Sequence, residues 1–230
     1  MHRIDLTSVY VLHTRPFNNT SLIVELFSKN HGRISVVARS ARGPQSRYQG
    51  KLQLFTPMLA AWSGRHELKY LGNIELHAMP IQLNQKPLFC GFYLNELLMR
   101  LLHKEDSHPL LFEHYHHALS CLGKKDDLSV VLRLFEKKLL DELGYALPLT
   151  YEAKTQLKIH AENYYRFEQN QGFFQCDATD DSNVFFGKDL LFIAAEQFEN
   201  ERTCLAAKRL MRMALQSILG SRPLNSRELF

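Results

Sequence analysis

The sequence predicts an α+β fold in two parts. A closed five-stranded barrel spans residues 1–80, and an α-helical domain over residues 81–230 carries a small β-hairpin insertion at about 150–189. Three observations carry this reading. Short apolar and β-branched runs, separated by turn residues, fill the first eighty positions. Beyond them the hydrophobic period changes from two to that of a helix. Aromatic pairs flanking "QNQG" then interrupt the helical pattern once before it returns.

Val9–His13, Ser21–Phe27 and Arg33–Ala38 read as strands separated by the turn chemistry of "RPFNN" and "SKNHG". Leu52–Trp62 is a fourth, in which Pro57 marks an edge or a bulge. "SGRH" turns the chain into Glu67–His77, where Leu68, Tyr70, Ile74 and Leu76 alternate with Glu67, Lys69, Asn73 and Glu75. Five short strands at this spacing close into a small barrel. Pro87 suits a first helical turn. Phe92, Leu94, Leu97, Leu98, Leu101 and Leu102 then surround most of a helix, as in a central buried one. "SHPLLFEHYHHALSCLG" and "DDLSVVLRLFEKKLLDELG" are the second and third helices, the latter stopped by Gly144. "YYRFEQNQGFFQCD" is the hairpin, and "KDLLFIAAEQF" and "TCLAAKRLMRMALQSILG" return to helix.

Composition narrows the class. With 45% hydrophobic and 23% charged residues the chain is an ordinary globular one. Its apolar runs fall short of the ~20 residues that cross a bilayer, and "MHRIDLTSVY" lacks a signal-peptide core, so a cytoplasmic protein without membrane contact is expected. The sequons in "NNTS" are then chance matches. Cys90, Cys121, Cys176 and Cys204 are scattered with no C-x-x-C pair, which predicts thiols rather than disulfides or a structural zinc.

Catalytic signatures are sparse. P-loop, GxGxxG, GxSxG, HExxH and EF-hand patterns are absent. Glu113, His114 and His117 in "EHYHH" share helix faces, for which a solvated His-rich face is the simpler reading than a metal site. "CDATDD" lacks the alternating ligands of a calcium loop and reads as a polar turn. Glu67-Leu68-Lys69 has the E-x-K spacing of metal-dependent nucleases, but those need a further acid just upstream, and none is there. No cofactor, metal or enzymatic activity is expected.

The strongest signal is charge. Net +4 conceals an asymmetry: residues 1–80 carry ten Lys/Arg against four Asp/Glu, and residues 81–230 carry eighteen against twenty. Between Glu25 and Glu67 there is no acid, while Lys29, Arg33, Arg39, Arg42, Arg47, Lys51 and Arg65 all fall in that window. Solvated surfaces mix signs because like charges repel. A phosphate backbone instead repels acids and rewards cations through counterion release. Gly43, Pro44 and Gly50 hold the basic stretch in a loop, and Tyr48 and Trp62 are candidates for stacking on bases, Trp62 with a core role as the stronger alternative. A barrel with a basic inter-strand loop is the OB-fold arrangement for holding single strands. The main DNA contacts expected are Arg39, Arg42, Arg47 and Lys51 with Tyr48, and Arg33, Arg65 and Lys69 on the adjoining face.

These residues carry a family resemblance. "VLHTRPFNNTSLIVELFSKNHGRISVVARSARGPQSRYQGKLQLFTPMLAAWSGRHELKYL" resembles the N-terminal domain of the RecO recombination mediators. "GFYLNELLMRLL" and "FEKKLLDELGY" resemble that family's helical domain, and "AAKRLMRMALQSILGSRPLNSREL" its C-terminal end. The resemblance implies an OB-fold followed by helices, single- and double-strand DNA binding, and strand annealing without nucleotide hydrolysis. It also implies partnership with RecR in loading RecA onto gapped DNA, and contact with the acidic, apolar C-terminal tail of the single-stranded-DNA-binding protein. By position, Arg33 matches the family's H-G-[RK] turn, and Arg39, Arg42 and Arg47 its basic loop. Many members cluster four cysteines in the stretch equivalent to 150–185, whereas this chain has only Cys176, so aromatics must hold the hairpin. Arg133 and Lys137, one turn apart beside Leu134 and Lys138, suit the acidic tail, with Lys208 and Arg212 as a rival site. An OB-fold RNA-binding protein and a metal-dependent nuclease are the alternative functions. The first has no reason to carry the C-terminal segments, and the second lacks a carboxylate cluster.

Overall fold

The computed structural model of the chain describes residues 3–124 and 126–226. β1 (Arg3–Phe17), β2 (Ser21–Ser28), β3 (Gly32–Ala38), β4 (Met58–Ser63) and β5 (Leu68–Leu76) form a closed barrel in the order β1-β2-β3-β5-β4. The β3–β5 pair is parallel and the others are antiparallel. This is the five-stranded barrel of an OB-fold. Val9, Val11, Val24, Leu26, Ile34, Val36, Met58, Ala60 and Trp62 alternate inward and fill it. β-branched side chains are stiff at χ1 and lie well on such a pleated wall.

The strands differ in detail from the pattern read in the sequence. β1 runs through Arg15–Phe17, and the turn is confined to Asn18–Thr20, with Asn18 left-handed at φ 51°. Residues 52–57 are not strand. Apart from one bridge between Leu54 and Val11, ladder pairing starts at Met58, after left-handed Phe55 at φ 57° and the proline that has no N–H to give. The alternation of β5 breaks at its centre: Trp62 pairs with Leu71 but Ala60 with Ile74, so one strand advances three residues while the other advances two. The extra residue is a bulge that reverses the side-chain order. Lys69, Leu71 and Ile74 therefore face inward or are covered, while Tyr70 between the first two is exposed; Leu76, at the end of the strand, is exposed as well.

The outer face of β1 and β2 is covered by α1 (Lys86–Leu101) and α2 (Pro109–Lys124). Tyr10 packs on Phe112 and Tyr115 with ring centroids 5.5 and 5.0 Å apart, and Phe27 lies 5.4 Å from Phe112. Asn95, one of the few polar residues of α1, is buried: it donates to the Leu12 carbonyl at 2.9 Å and accepts from the Tyr115 hydroxyl at 2.5 Å. The segment between the helices lies over the β2–β3 turn, where Glu105 donates its N–H to the Arg33 carbonyl. Gly32 has φ 63°, and a Cβ there would fall 1.7 Å from the Asp106 carbonyl oxygen, so only glycine fits.

Two compact units result, one running to Asp126 and taking up the segment from Leu224, the other Asp127–Pro223. In the first, the returning segment is fixed to α1: Glu96 accepts the backbone N–H of Asn225 at 2.9 Å and of Ser226 at 2.8 Å, and the Ser226 hydroxyl at 2.6 Å. "SREL" after Asn225 is described only as far as Ser226; its remaining residues lie outside the described part.

The second unit opens with α3 (Leu128–Glu142), whose cap Asp127 accepts from the N–H of Ser129 and Val130. Gly144 follows with φ 80°, the left-handed stop expected there. The hairpin is β6 (Tyr164–Glu168) and β7 (Gly172–Cys176), and β8 (Val184–Phe186) adds a third strand, giving the order β7-β6-β8. Tyr164 on Phe186, Phe167 on Phe173 and Phe173 on Phe185, with centroids 5.2–6.2 Å apart, hold this sheet. α4 (Gly187–Ala194) and α5 (Glu201–Leu219) complete the unit, and α5 packs its Ala207–Leu210–Met211–Ala214 face against α3 and α4.

Candidate nucleic-acid interface

The basic loop between β3 and β4 is built from tight turns. Gly43, Ser46, Gln49 and Lys51 each donate to a carbonyl three residues back. Its arginines are docked on two parts of the barrel, the β1–β2 turn and β5. Arg42 donates through Nη2 to the Asn18 and Asn19 carbonyls at 2.7 and 2.6 Å, at the β1–β2 turn. Arg47 reaches the Leu71 carbonyl of β5 at 3.3 Å and the Tyr48 hydroxyl at 2.6 Å. The Arg39 guanidinium lies 4.1 Å from the centroid of the Tyr70 ring. Carbonyls and π-faces orient a guanidinium without neutralising it. Arg39, Arg42, Arg47, Lys51 and Arg65 are all exposed, and among the described residues none has a carboxylate partner.

Other cations of the window are spoken for. Lys29 pairs with Glu113 at 2.6 Å, and Arg33 with Glu25 at 3.3 Å while donating to the Leu102 carbonyl. Lys69, expected on the solvent face, is buried by the β5 bulge and paired with Glu105, so it locks the segment between α1 and α2 to the barrel. Tyr48 needs correction too. It is 3% exposed, its ring belongs to the barrel core, and its hydroxyl donates to the Leu71 and Gly72 carbonyls at 2.8 and 3.2 Å. No ring face is left for a base. Trp62 is likewise core, edge-on to His31 at 5.4 Å, below a cleft of about 330 Å³ rimmed by Arg65.

The E-x-K pair does not converge. Glu67 is bound by Lys104, which holds its carboxyl below the ordinary range, while Lys69 turns to Glu105. His116 and His117 are engaged with the Tyr10 hydroxyl and the Cys121 thiol, and among the described residues no three His, Cys, Asp or Glu side chains come together as a metal site.

On α3 the expected basic edge is already neutralised. Arg133 is buried and bonded to Glu136 at 2.9 Å, and Lys137 and Lys138 share Glu196 at 2.9 and 2.6 Å, with Asp141 3.7 Å from Lys137. Burial opposes ionisation of Glu196, and the bonds from the two lysines outweigh it, so its carboxyl sits below the ordinary range. Lys208 and Arg212 on α5 are exposed, and Leu205, one turn before Lys208, is 60% exposed on the same face. Arg209 of that face lies over Phe185 and donates to the Val184 carbonyl, tying α5 to β8.

Comparison with known proteins agrees with this architecture. A family model described as Recombination protein O N terminal matches residues 1–80, and one described as Recombination protein O C terminal matches residues 86–228. The DNA repair protein RecO of Coxiella burnetii is 48% identical over 227 residues, which cover 99% of this chain and 98% of that one. Those of Actinobacillus succinogenes and Haemophilus influenzae are 42% and 40% identical, over 96% and 98% of this chain and 93% and 95% of theirs. With the OB-fold barrel lying within the first matched stretch, and likeness sustained through the helices to the returning C-terminal segment, the chain belongs to the Recombination protein O family.

Proposed function

We propose that this protein is a non-catalytic mediator of DNA repair and homologous recombination. It binds single- and double-stranded DNA through the β3–β4 loop, anneals complementary strands, and with RecR helps load RecA onto gapped DNA coated with single-stranded-DNA-binding protein. The observation that carries the reading is the group of five exposed cations that have no carboxylate partner among the described residues, three of them anchored on the barrel, Arg42 at the β1–β2 turn and Arg39 and Arg47 on β5. Anchoring lowers the conformational entropy lost when phosphate is bound. Backbone contacts of this kind hold strands without reading sequence, which suits annealing. Family membership and the relatives' description as DNA repair proteins support the cellular role. The same reading makes the protein cytoplasmic and nucleoid-associated.

The exposed Leu205–Lys208–Arg212 face supports docking of the acidic, apolar tail of the single-strand binding protein there rather than on α3, whose cations are paired. The test is annealing of complementary strands coated with their cognate single-strand binding protein. Faster annealing with this protein, lost on changing Arg39, Arg42 and Arg47 to alanine, is expected. Strand cleavage in Mg²⁺, or no acceleration, would overturn the reading.

A further inference from the structure

Among the described residues of the barrel, one Phe, Tyr or Trp side chain is exposed to solvent beside the basic loop, and it is not Tyr48. Tyr10, Phe27, Tyr48, Phe55 and Trp62 are buried and Phe17 is half-buried, whereas Tyr70 is 43% exposed. The β5 bulge puts it there: with Lys69 and Leu71 turned inward, the residue between them must face out. Arg39 lies over its ring, and Arg47 is bonded to the carbonyl of the very next residue, Leu71.

We infer that Tyr70, backed by Arg39, is a stacking platform for an unpaired nucleobase, and that it gives the interface a preference for single strands. The inference rests on the DNA-binding reading of the loop. Charge complementarity argues for this occupant. The ring lies against Arg39 and one residue from the carbonyl that holds Arg47, beside the loop cations where a polyanion would collect, and an aromatic face adds a contact to the base that phosphate contacts alone do not make. A guanidinium on one face fixes the ring and adds its own plane to the stack. Bases inside a duplex present no free face, so only a single strand gains from the platform.

The experiment compares oligo(dT) with an abasic oligomer of equal length, by fluorescence anisotropy, on the full chain. Tyr70→Ala and Tyr70→Thr should weaken oligo(dT) roughly 5- to 150-fold, the range that base–aromatic stacking gives on truncation. The wild-type preference for the base-bearing strand should collapse accordingly, and Tyr70→Phe should keep it. Thr preserves strand propensity, so agreement of the two truncations excludes a folding artefact. Equal loss on both oligomers would reduce Tyr70 to a prop for Arg39 and overturn the assignment, as would no loss. If the wild type shows no salt-dependent affinity for the abasic strand, the reading of the loop fails and this one with it. If phosphate binding is intact and the preference ignores Tyr70, only the platform falls.

Discussion

The Tyr48 hydroxyl donates to the Leu71 carbonyl at 2.8 Å, joining the middle of the basic loop to the strand where β5 bulges. Arg47 stands over the Tyr48 ring, 4.8 Å from its centroid, and bonds to the same carbonyl. A tyrosine surrounded by cations in sequence is thus a peg driven into the barrel. Tyr48→Ala should lower unfolding free energy by roughly 3–5 kcal/mol, as other large aromatic truncations do in cores. Tyr48→Phe should cost about 1 kcal/mol, the net worth of a hydrogen bond. Urea titration of the two variants is the check. A fully stable Tyr48→Ala would contradict the peg.

Changing Arg39, Arg42 and Arg47 together to alanine should flatten the log–log salt dependence of single-strand affinity by roughly two units, at about 0.7 per phosphate contact. Loss should be alike across sequences. An unchanged slope in a folded triple variant would mean that these guanidiniums are merely solvated.

Gly32→Ala should destabilise the protein by at least ~2 kcal/mol, since a left-handed backbone and a collision with Asp106 act together. Gly50→Ala, at φ 69° with nothing within 4 Å, meets only the backbone cost of about 1 kcal/mol. Thermal unfolding of the pair separates steric from conformational cost. Equal melting points would remove the clash from the account.

Glu96 makes a pH prediction. Burial opposes its ionisation, but the bonds from the Ser226 side chain, the Ser226 and Asn225 backbone, and the nearby Arg100 charge outweigh burial and lower its carboxyl below the usual range. A carboxyl depressed by folding contributes stability that is fully present above its unfolded value, about 4.3, and is lost as pH falls through the folded one. Glu96→Gln should therefore cost roughly 1–2 kcal/mol near neutrality, and the gap to wild type should close on acidification below about pH 4. A gap that persists undiminished at pH 2 would show that charge is not its source.

For the tail peptide, Lys208→Glu with Arg212→Glu should weaken binding roughly tenfold by calorimetric titration. Arg133→Glu should instead lower the melting temperature, because it puts a carboxylate against Glu136 in a buried position. Unchanged peptide affinity in the α5 variant would move the site elsewhere.

What the sequence conveyed follows its range. Period and turn residues act over a few positions, so the barrel, Pro87 and Gly144 were legible. The bulge in β5 was not: it arises from pairing with β4, and it inverted the expected places of Lys69 and Tyr70. β8 is three residues long, too short for alternation to register. Lys137 and Glu196 are 59 positions apart, and no local pattern announces that a basic edge will meet its acid from there. Tyr48 lay among arginines in the chain, which said nothing about where its ring would go.

The hydrogen bond from Ser226 to Glu96 spans 130 residues. The first unit begins the chain and is also the last to be finished, with the whole of Asp127–Pro223 lying between. During synthesis the barrel and its two helices emerge early, yet Glu96 must wait, half-buried and without its N–H donors from Asn225 and Ser226, until the second unit has been made. Closing so long a loop is entropically only modestly worse than closing a short one, so the delay is one of time rather than of free energy. A ribosome that stalls inside α5 leaves the barrel and its two helices without their final clasp. Such a product should be the more readily unfolded and degraded.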